Sequence, residues 1–492
     1  MRARYHKRMR RLLSLLLALL LCADPVARAL AQALPDLGGA ADAALSPQLE
    51  RSIGEKIMRD IRYHDPSYVD DPEVTAYLDT IGEKLASAPP GASERFEFFG
   101  IRDNTINAFA LPGGFVGVNT GLLAACDNES ELASVLAHEI SHVTQRHIAR
   151  QLNQQQQMQL PSLAALAAAI LLGRSRPDLA MGAVTAIQGV NVQSQIAYTR
   201  DFEREADRIG FQRLVSAGYD PQGMPEFFEK MQRYTRISDD GSFPTYLRDH
   251  PVTTERIADA ENRADKLPYR QHLDSLEFFL VKAKLRAERG DARDEMAYFQ
   301  GLVRDRRYAN ETAARYGLVA AMLRAERPRE AAAQLTALRA THGESPMIET
   351  LAARVDRALG ERDAALNVLK NALARYPNRR PIVYAYVDAL HDAHRYQDAL
   401  DVLAEPLRRY PDDERLRVLQ AKTYAALGKR LLQHQAQAEV YVLQGSLPAA
   451  IEQLQLARAA GDGNFYQLSE VDSRMRELKA QHQREQRNAK SQ

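Results

Sequence analysis

Two histidines and a glutamate lie together in one short stretch with the pattern of a helix. His138 and His142 are four residues apart, and Glu139 directly follows the first of them. Residues at positions i and i+4 share one face of a helix, so both imidazoles can reach the same metal ion. A glutamate beside the first histidine can hold a water at that metal and take its proton. The spacing therefore predicts a metal-dependent hydrolytic site.

A second acidic segment supplies the remaining ligand. Glu203 and Asp207 are four residues apart on a predicted helix, 65 and 69 positions after His138. We predict that Glu203 is the third ligand and that Asp207 accepts the free N–H of a ligating histidine, which fixes its tautomer. Two imidazoles, one carboxylate and one open position are typical of catalytic zinc. The sequence thus predicts one Zn²⁺ per chain, with Glu139 and Asp207 assisting peptide hydrolysis.

Four more side chains near these motifs need an interpretation. His147 follows His142 by five residues, which turns it away from the metal on a continuous helix, so we predict a surface residue. Glu205 points off the metal-binding face and is predicted to be solvated. His250 is either a structural residue at a helix start or a group at the metal, as a fourth ligand or a regulatory, oxyanion-binding residue. Arg256 either supports the cleft or is exposed.

The elements that must position these residues are a helix and a small sheet. The helix begins near Asn128 or Ser130, either of which can cap it, and its apolar residues recur at helical spacing. Upstream, two short β-like runs flank a Pro-Gly-Gly turn, which predicts a hairpin. The run from Gly114 to Asn119 is either an exposed edge that pairs with extended substrate backbone or an ordinary core strand.

The first 33 residues have the layout of a secretory signal peptide. A basic start precedes an apolar run from Leu12 to Leu21, and Ala31-Gln32-Ala33 ends the segment. The apolar run is about 15 Å long as a helix, half the thickness of a bilayer core, which argues against a membrane anchor. We therefore predict export by a cleaved signal. Lipidation at Cys22, with a peptidase anchored at the outer membrane, is the alternative.

Composition excludes several classes of function once this leader is removed. The chain of 492 residues has 65 basic and 64 acidic side chains, and seven basic residues but one acidic residue lie in the leader. The remaining chain is acidic, so nothing suggests a nucleic-acid partner. Cys126 is then the only cysteine, which excludes an internal disulfide and gives no support to a thiol enzyme.

The segment 163–190 is rich in small and apolar residues, with a Gly-Arg-Ser-Arg-Pro break between its two arms. Each arm is too short to span a membrane. We predict an apolar helical hairpin or loop that lies either over the active-site cleft as a lid or against a membrane surface as a peripheral contact.

The C-terminal half repeats with a period of 34 residues. Four alanines keep this spacing: Ala297, Ala331, Ala365 and Ala399. A period of 34 with small residues at helix crossings is typical of tetratricopeptide repeats, which stack into a solenoid that binds partners. After Leu416 the register loosens. We assign a metallopeptidase domain to 34–268, the repeats to 269–477 and a polar tail to 478–492.

Taken together, these motifs resemble the M48 metallopeptidase family. The resemblance rests on four segments: 107–114 with its Pro-Gly-Gly, His138-Glu139-x-x-His142, Glu203-x-x-x-Asp207 and His250-Pro251. It implies a mainly α fold, in which a zincin-type metallopeptidase domain with a small β-sheet is followed by the α-solenoid of repeats. It also implies zinc held by His138, His142 and Glu203, with Glu139 as the catalytic base.

A signal peptide before the protease and repeats after it are most similar to periplasmic M48 members of Gram-negative bacteria. The resemblance implies an exported zinc endopeptidase that is either free in the periplasm or peripheral to the outer membrane. Its substrates would be unfolded or misassembled outer-membrane proteins, and its repeats would contact the β-barrel assembly machinery. The alternative is a chaperone or scaffold that acts through the repeats while its zinc site is largely capped.

Overall fold

The protease half is built from helices around one small sheet. The computed structural model describes residues 45–89, 94–156, 200–237, 245–268, 272–341 and 344–490. The predicted signal peptide and the apolar segment 163–190 lie outside these ranges. Within them, no helix is both long and apolar enough to cross a membrane.

The N-terminal half contains nine described helices and three strands. The helices are α1 (Pro47–His64), α2 (Pro72–Ser87), α3 (Thr120–Ala125), α4 (Glu129–Thr144), α5 (His147–Gln156), α6 (Arg200–Ser216), α7 (Gly223–Ile237), α8 (Thr245–Asp249) and α9 (Thr254–Ala264). The strands are β1 (Glu97–Ile101), β2 (Ala108–Leu111) and β3 (Phe115–Asn119).

The predicted hairpin is present, but its second strand is not the exposed sheet edge that one of our two hypotheses required. β2 and β3 pair antiparallel, and the turn between them uses Gly113 and Gly114 at φ 78° and 90°, a left-handed region that glycine adopts without strain. β1 pairs parallel with β3, which gives the order β1-β3-β2. The run Gly114–Asn119 is therefore not an edge: its strand is central, and β2 lies at the border of the described sheet.

Helix α4, which carries His138 and His142, lies at the centre of this domain. Asn128 caps it by accepting a hydrogen bond from the Glu131 N–H at 2.9 Å, as one of the two predicted caps. Every residue from Glu129 to His142 is buried, because α2, α6, α7 and the sheet cover the helix on several sides. Each large apolar side chain buried there contributes about 1.5–3 kcal/mol. The helix is thus held as a rigid core element.

The C-terminal half is a stack of helix pairs. Its helices are α10 (Leu276–Ala287), α11 (Ala292–Asp305), α12 (Glu311–Arg324), α13 (Pro328–Arg339), α14 (Pro346–Leu359), α15 (Arg362–Arg375), α16 (Arg380–Asp392), α17 (Tyr396–Arg409), α18 (Glu414–Ala426), α19 (Arg430–Leu443), α20 (Leu447–Ala459) and α21 (Phe465–Lys490). The segment predicted as a polar tail begins inside α21.

The predicted period of 34 holds over the middle of this stack. Helices α13, α15, α17 and α19 begin at residues 328, 362, 396 and 430, so the register continues past Leu416, where we expected it to loosen. Ala331, Ala365 and Ala399 are fully buried, as small residues at helix crossings should be. Ala297 is exposed, because α11 begins at residue 292, 36 positions before α13.

The two halves pack against each other through α2. Buried Lys284 of α10 lies 2.6 Å from a carboxylate oxygen of Asp71 and 2.5 Å from one of Glu73. Arg380 of α16 lies 3.5 Å from Asp79. One apolar cluster runs from the protease helices into the first repeats without a break. The repeats therefore share a core with the domain that carries the histidines.

Candidate metal centre

Four potential metal ligands converge in the protease half. α4 supplies His138 and His142, α6 supplies Glu203, and His250 follows α8. One donor atom from each lies within 4.8 Å of the other three, and all four side chains are buried. The turn after α8 holds His250 in place, because its N–H donates to the carbonyl of Tyr246 at 2.7 Å. Sequence spacing predicted three members of this group and left His250 open.

The donor atoms face a common point. The Nε2 atoms of His138 and His142 are 2.9 Å apart, and each lies 3.5 Å from a carboxylate oxygen of Glu203. Nδ1 of His250 lies 3.0 Å from Glu203 and 3.3 Å from Nε2 of His138. Three imidazoles and one carboxylate form a donor set that suits zinc. The residues present therefore fit the implied metal.

Burial and mutual charge set the protonation of these groups. Burial opposes a charge on His138, yet the carboxylates of Asp207 and Glu203, which accept hydrogen bonds from its ring, raise its pKa to about 9. Burial and the neighbouring His138 lower the pKa of His142 well below its usual range. Against burial, His250 and His138 hold the pKa of Glu203 well below its usual range. A histidine binds a metal through an unprotonated nitrogen, so a metal and a proton would compete for Nε2 of His138.

Asp207 and Arg256 lie behind the first histidine. Asp207 Oδ1 is 3.0 Å from Nδ1 of His138, on the side away from the other ligands. Arg256 of α9 donates two hydrogen bonds to that carboxylate, at 2.6 and 2.8 Å, and its Nη1 lies 2.8 Å from Glu203. We left the place of Arg256 open from sequence. It is buried, and it holds two carboxylates of α6 at once.

His147 and Glu205 are not where the sequence suggested. His147 is fully buried, and its Nδ1 lies 2.9 Å from Nδ1 of His142, while its Nε2 lies 3.2 Å from Glu205. Glu205 also accepts a hydrogen bond from Arg150 at 2.7 Å, so it is paired rather than merely solvated. Burial lowers the pKa of His147 to about 4. The surface assignment of His147 is therefore wrong.

The chain bends between His142 and His147, which explains the wrong prediction for His147. α4 ends at Thr144, and Arg146 adopts a left-handed conformation with φ 52° before α5 begins at His147. Our estimate of the direction of His147 assumed one continuous helix. No signal in the sequence between His142 and His147 marks the bend, since neither glycine nor proline occurs there.

Glu139 is buried beside the ligands. Neither of its carboxylate oxygens accepts a hydrogen bond from the described residues, and Oε1 lies 3.4 Å from Nε2 of His250. Burial raises the pKa of this carboxyl above its usual value. A buried carboxylate with unused acceptor capacity is suited to bind and deprotonate a water.

Comparisons with protein families give one match in each half of the chain. Residues 72–264 match the model of peptidase family M48, and residues 357–423 match a tetratricopeptide repeat model. The first match contains every ligand described above, and the second falls on the helices α14 to α18.

Individual proteins are also similar to this chain, two of them over most of its length. The chain is 34% identical to the β-barrel assembly-enhancing protease of Escherichia coli strain K12, over 91% of this chain and 92% of that protein. It is 31% identical to the protein of the same name from Yersinia pestis, over 92% of each chain. It is also 28% identical to the mitochondrial metalloendopeptidase OMA1 of Arabidopsis thaliana, over 45% of this chain and 42% of that protein.

Proposed function

The chain belongs to peptidase family M48 and is a metalloendopeptidase with tetratricopeptide repeats, and we propose that it degrades misassembled outer-membrane proteins in the periplasm. The observation that carries the proposal is the buried group of His138, His142, Glu203 and His250, with Glu139 beside it. Matches over almost the whole length of relatives named for β-barrel assembly support the substrate class.

We propose that His138, His142 and Glu203 hold Zn²⁺ and that His250 completes the donor set in the resting protein. A zinc ion bound there supplies Lewis-acid polarisation of the scissile carbonyl and acidifies a neighbouring water. Asp207 keeps a hydrogen on Nδ1 of His138, which leaves its Nε2 to face the other ligands. Arg256 keeps Asp207 ionised for this role.

Glu139 moves the proton in this proposal. Its carboxylate takes a proton from the attacking water and passes it to the leaving amine nitrogen, so that the amide C–N bond can break. Burial suits this role, because it raises the basicity of the carboxylate and keeps bulk water away. His250 lies 3.4 Å from Glu139 and 3.0 Å from Glu203, so its side chain would have to move to make room for a substrate carbonyl.

The repeats are proposed to bring clients and partners to this centre. We retain 34–268 as the protease domain and 269–477 as the repeats, which would contact unfolded outer-membrane proteins and the β-barrel assembly machinery. Export by cleavage after Ala33 would place the protein in the periplasm. The mass of the mature N-terminus distinguishes this from lipidation at Cys22.

A chaperone or scaffold function is the second candidate, and the position of His250 favours it. If His250 holds the fourth position permanently, the zinc site is capped and the repeats do the work. The two functions differ in what they predict for variants at His250 and Glu139.

The test is proteolysis of casein and of an unfolded outer-membrane protein by the purified mature chain, with zinc content recorded. Glu139→Gln should keep zinc and lose cleavage, whereas His250→Ala should cleave faster than wild type. Glu255→Gln, an exposed residue of α9, is the matched control and should cleave normally. Cleavage that persists in Glu139→Gln would refute the mechanism. Zinc-loaded protein that cleaves nothing in any form would favour the chaperone.

A further inference from the structure

A chain of hydrogen-bonding groups lies behind His142, and none of it is part of the proposed chemistry. Nδ1 of His142 faces Nδ1 of His147 at 2.9 Å, Nε2 of His147 faces Glu205 at 3.2 Å, and Glu205 accepts from Arg150 at 2.7 Å. His142 and His147 are fully buried or nearly so. The order of these contacts determines where the protons must be.

Glu205 fixes the direction of the chain. An ionised carboxylate can only accept hydrogen bonds, and Arg150 donates to the same oxygen of Glu205 that faces His147. Nε2 of His147 must therefore carry a hydrogen. With one proton on the ring, its Nδ1 has a bare lone pair.

The contact between the two rings then allows one arrangement. Two bare nitrogens 2.9 Å apart would repel each other, so a hydrogen must lie between the Nδ1 atoms of His142 and His147. Because Nδ1 of His147 is the acceptor, His142 is the donor. The neutral His142 ring then keeps its free lone pair on Nε2, the atom that faces His138 and Glu203.

We infer that His147 is a positioning residue for the metal ligand His142: it accepts the Nδ1–H of His142 and so selects the tautomer that offers Nε2 to the metal. This inference rests on the metal site of the proposed function. His147 does for His142 what Asp207 does for His138, but through a second imidazole instead of a direct carboxylate.

The surroundings of His147 are built to keep its ring in this orientation. Phe202 stacks on the ring with centroids 4.6 Å apart and an interplanar angle of 11°. The guanidinium of Arg150, which donates to Glu205, lies 4.6 Å from the centre of the Phe202 ring. Helix α6 thus supplies the proposed ligand Glu203 and two further carboxylates. Asp207 orients His138 directly, and Glu205 orients His142 through His147.

The first test is the tautomer in the metal-free wild-type chain, read from ¹⁵N chemical shifts of histidine side chains, with His142 and His147 assigned from variants. We expect hydrogen on Nδ1 of His142 and on Nε2 of His147. Hydrogen on Nε2 of His142 would overturn the inference. This measurement needs no activity and no metal, so it stands apart from the fate of the proposed function.

The second test compares two nearly isosteric replacements. His147→Asn keeps an oxygen that can accept from His142, whereas His147→Leu has no acceptor. By competition with a chromophoric chelator, His147→Leu should weaken zinc binding about 10–100-fold and His147→Asn should stay within a few-fold of wild type. A folded His147→Leu chain with wild-type affinity contradicts the inference, as does an equal loss in both variants. If His147→Leu does not fold, the tautomer measurement decides.

Discussion

Helices α6 and α9 are joined by two arginine–carboxylate pairs, one buried and one exposed, which makes a paired experiment possible. Arg256 donates two hydrogen bonds to Asp207 in the interior, at 2.6 and 2.8 Å. Arg204 donates two to Glu255 at the surface, at 3.0 and 3.2 Å. The partners lie on the same two helices in both cases, so replacing each arginine by methionine compares the loss of a buried pair with the loss of an exposed one. The buried arginine also reaches a second carboxylate, that of Glu203.

We expect Arg256→Met to be strongly destabilising. The side chain is 5% exposed, and its loss leaves Asp207 and Glu203 as buried carboxylates without their cation. Breaking a buried pair on one side costs about 3–5 kcal/mol. For a domain of 150–250 residues, about 2–4 °C of thermal midpoint is lost per kcal/mol, which gives a fall of roughly 6–20 °C. Arg204→Met should leave the midpoint unchanged within error, because solvent screens its pair.

The assay is differential scanning calorimetry of chelator-treated protein, so that metal binding does not mask the loss. Arg256→Lys should recover little, since one ammonium cannot match the two-pronged geometry of the guanidinium. Zinc affinity of Arg256→Met should also fall, because Asp207 no longer has the partner that keeps it ionised behind His138. If the midpoints of Arg256→Met and Arg204→Met fall equally, the role assigned to burial is wrong.

Three further changes test other parts of the structure. Lys284→Met should cost about 3–5 kcal/mol, because it leaves the carboxylates of Asp71 and Glu73, at the start of α2, without their cation. Calorimetry should then resolve separate transitions for protease and repeats. Burial raises the pKa of Asp79 to about 7 in the folded protein, whereas the unfolded chain releases this proton near pH about 4. The stability contributed by protonated Asp79 is therefore complete below pH about 4 and is lost as pH rises through about 7. Asp79→Asn should remove this dependence, as measured by thermal midpoints from pH 4 to 8. Gly210→Val should weaken zinc binding in a chelator competition, because its Cβ would lie 3.1 Å from the backbone nitrogen of His138, and such overpacking costs about 1–3 kcal/mol.

Sequence predicted the parts of this protein that depend on local spacing. The pair His138 and His142 follows from the period of one helix, and the hairpin follows from its glycine turn. The repeats follow from a spacing of 34 that recurs in the helix starts. In each case, the residues that carry the signal are neighbours in the chain or repeat at a fixed interval.

Features that depend on contacts between distant segments could not be predicted. The bend at Arg146 is held by Glu50, 3.3 Å from its guanidinium, and by the carbonyl of Leu45, about a hundred positions earlier. That bend buries His147 and brings it to His142. The central place of β3 likewise depends on its pairing with β1, a strand that the hairpin itself does not specify. Local patterns contain no information on such partners.

The first residue of the metal-binding helix connects the two halves of the molecule. Buried Glu129 accepts hydrogen bonds from the hydroxyls of Tyr77 at 3.1 Å and Ser275 at 2.5 Å, and its own N–H donates to Asp274 at 2.8 Å. Asp274 and Ser275 lead directly into α10, the first helix of the repeats. Hydrogen bonds to a charged group contribute about 1.5–3 kcal/mol each, so the repeats cannot shift without moving α4 or breaking these bonds. The start of the first repeat helix is thereby tied to the helix that carries Glu139.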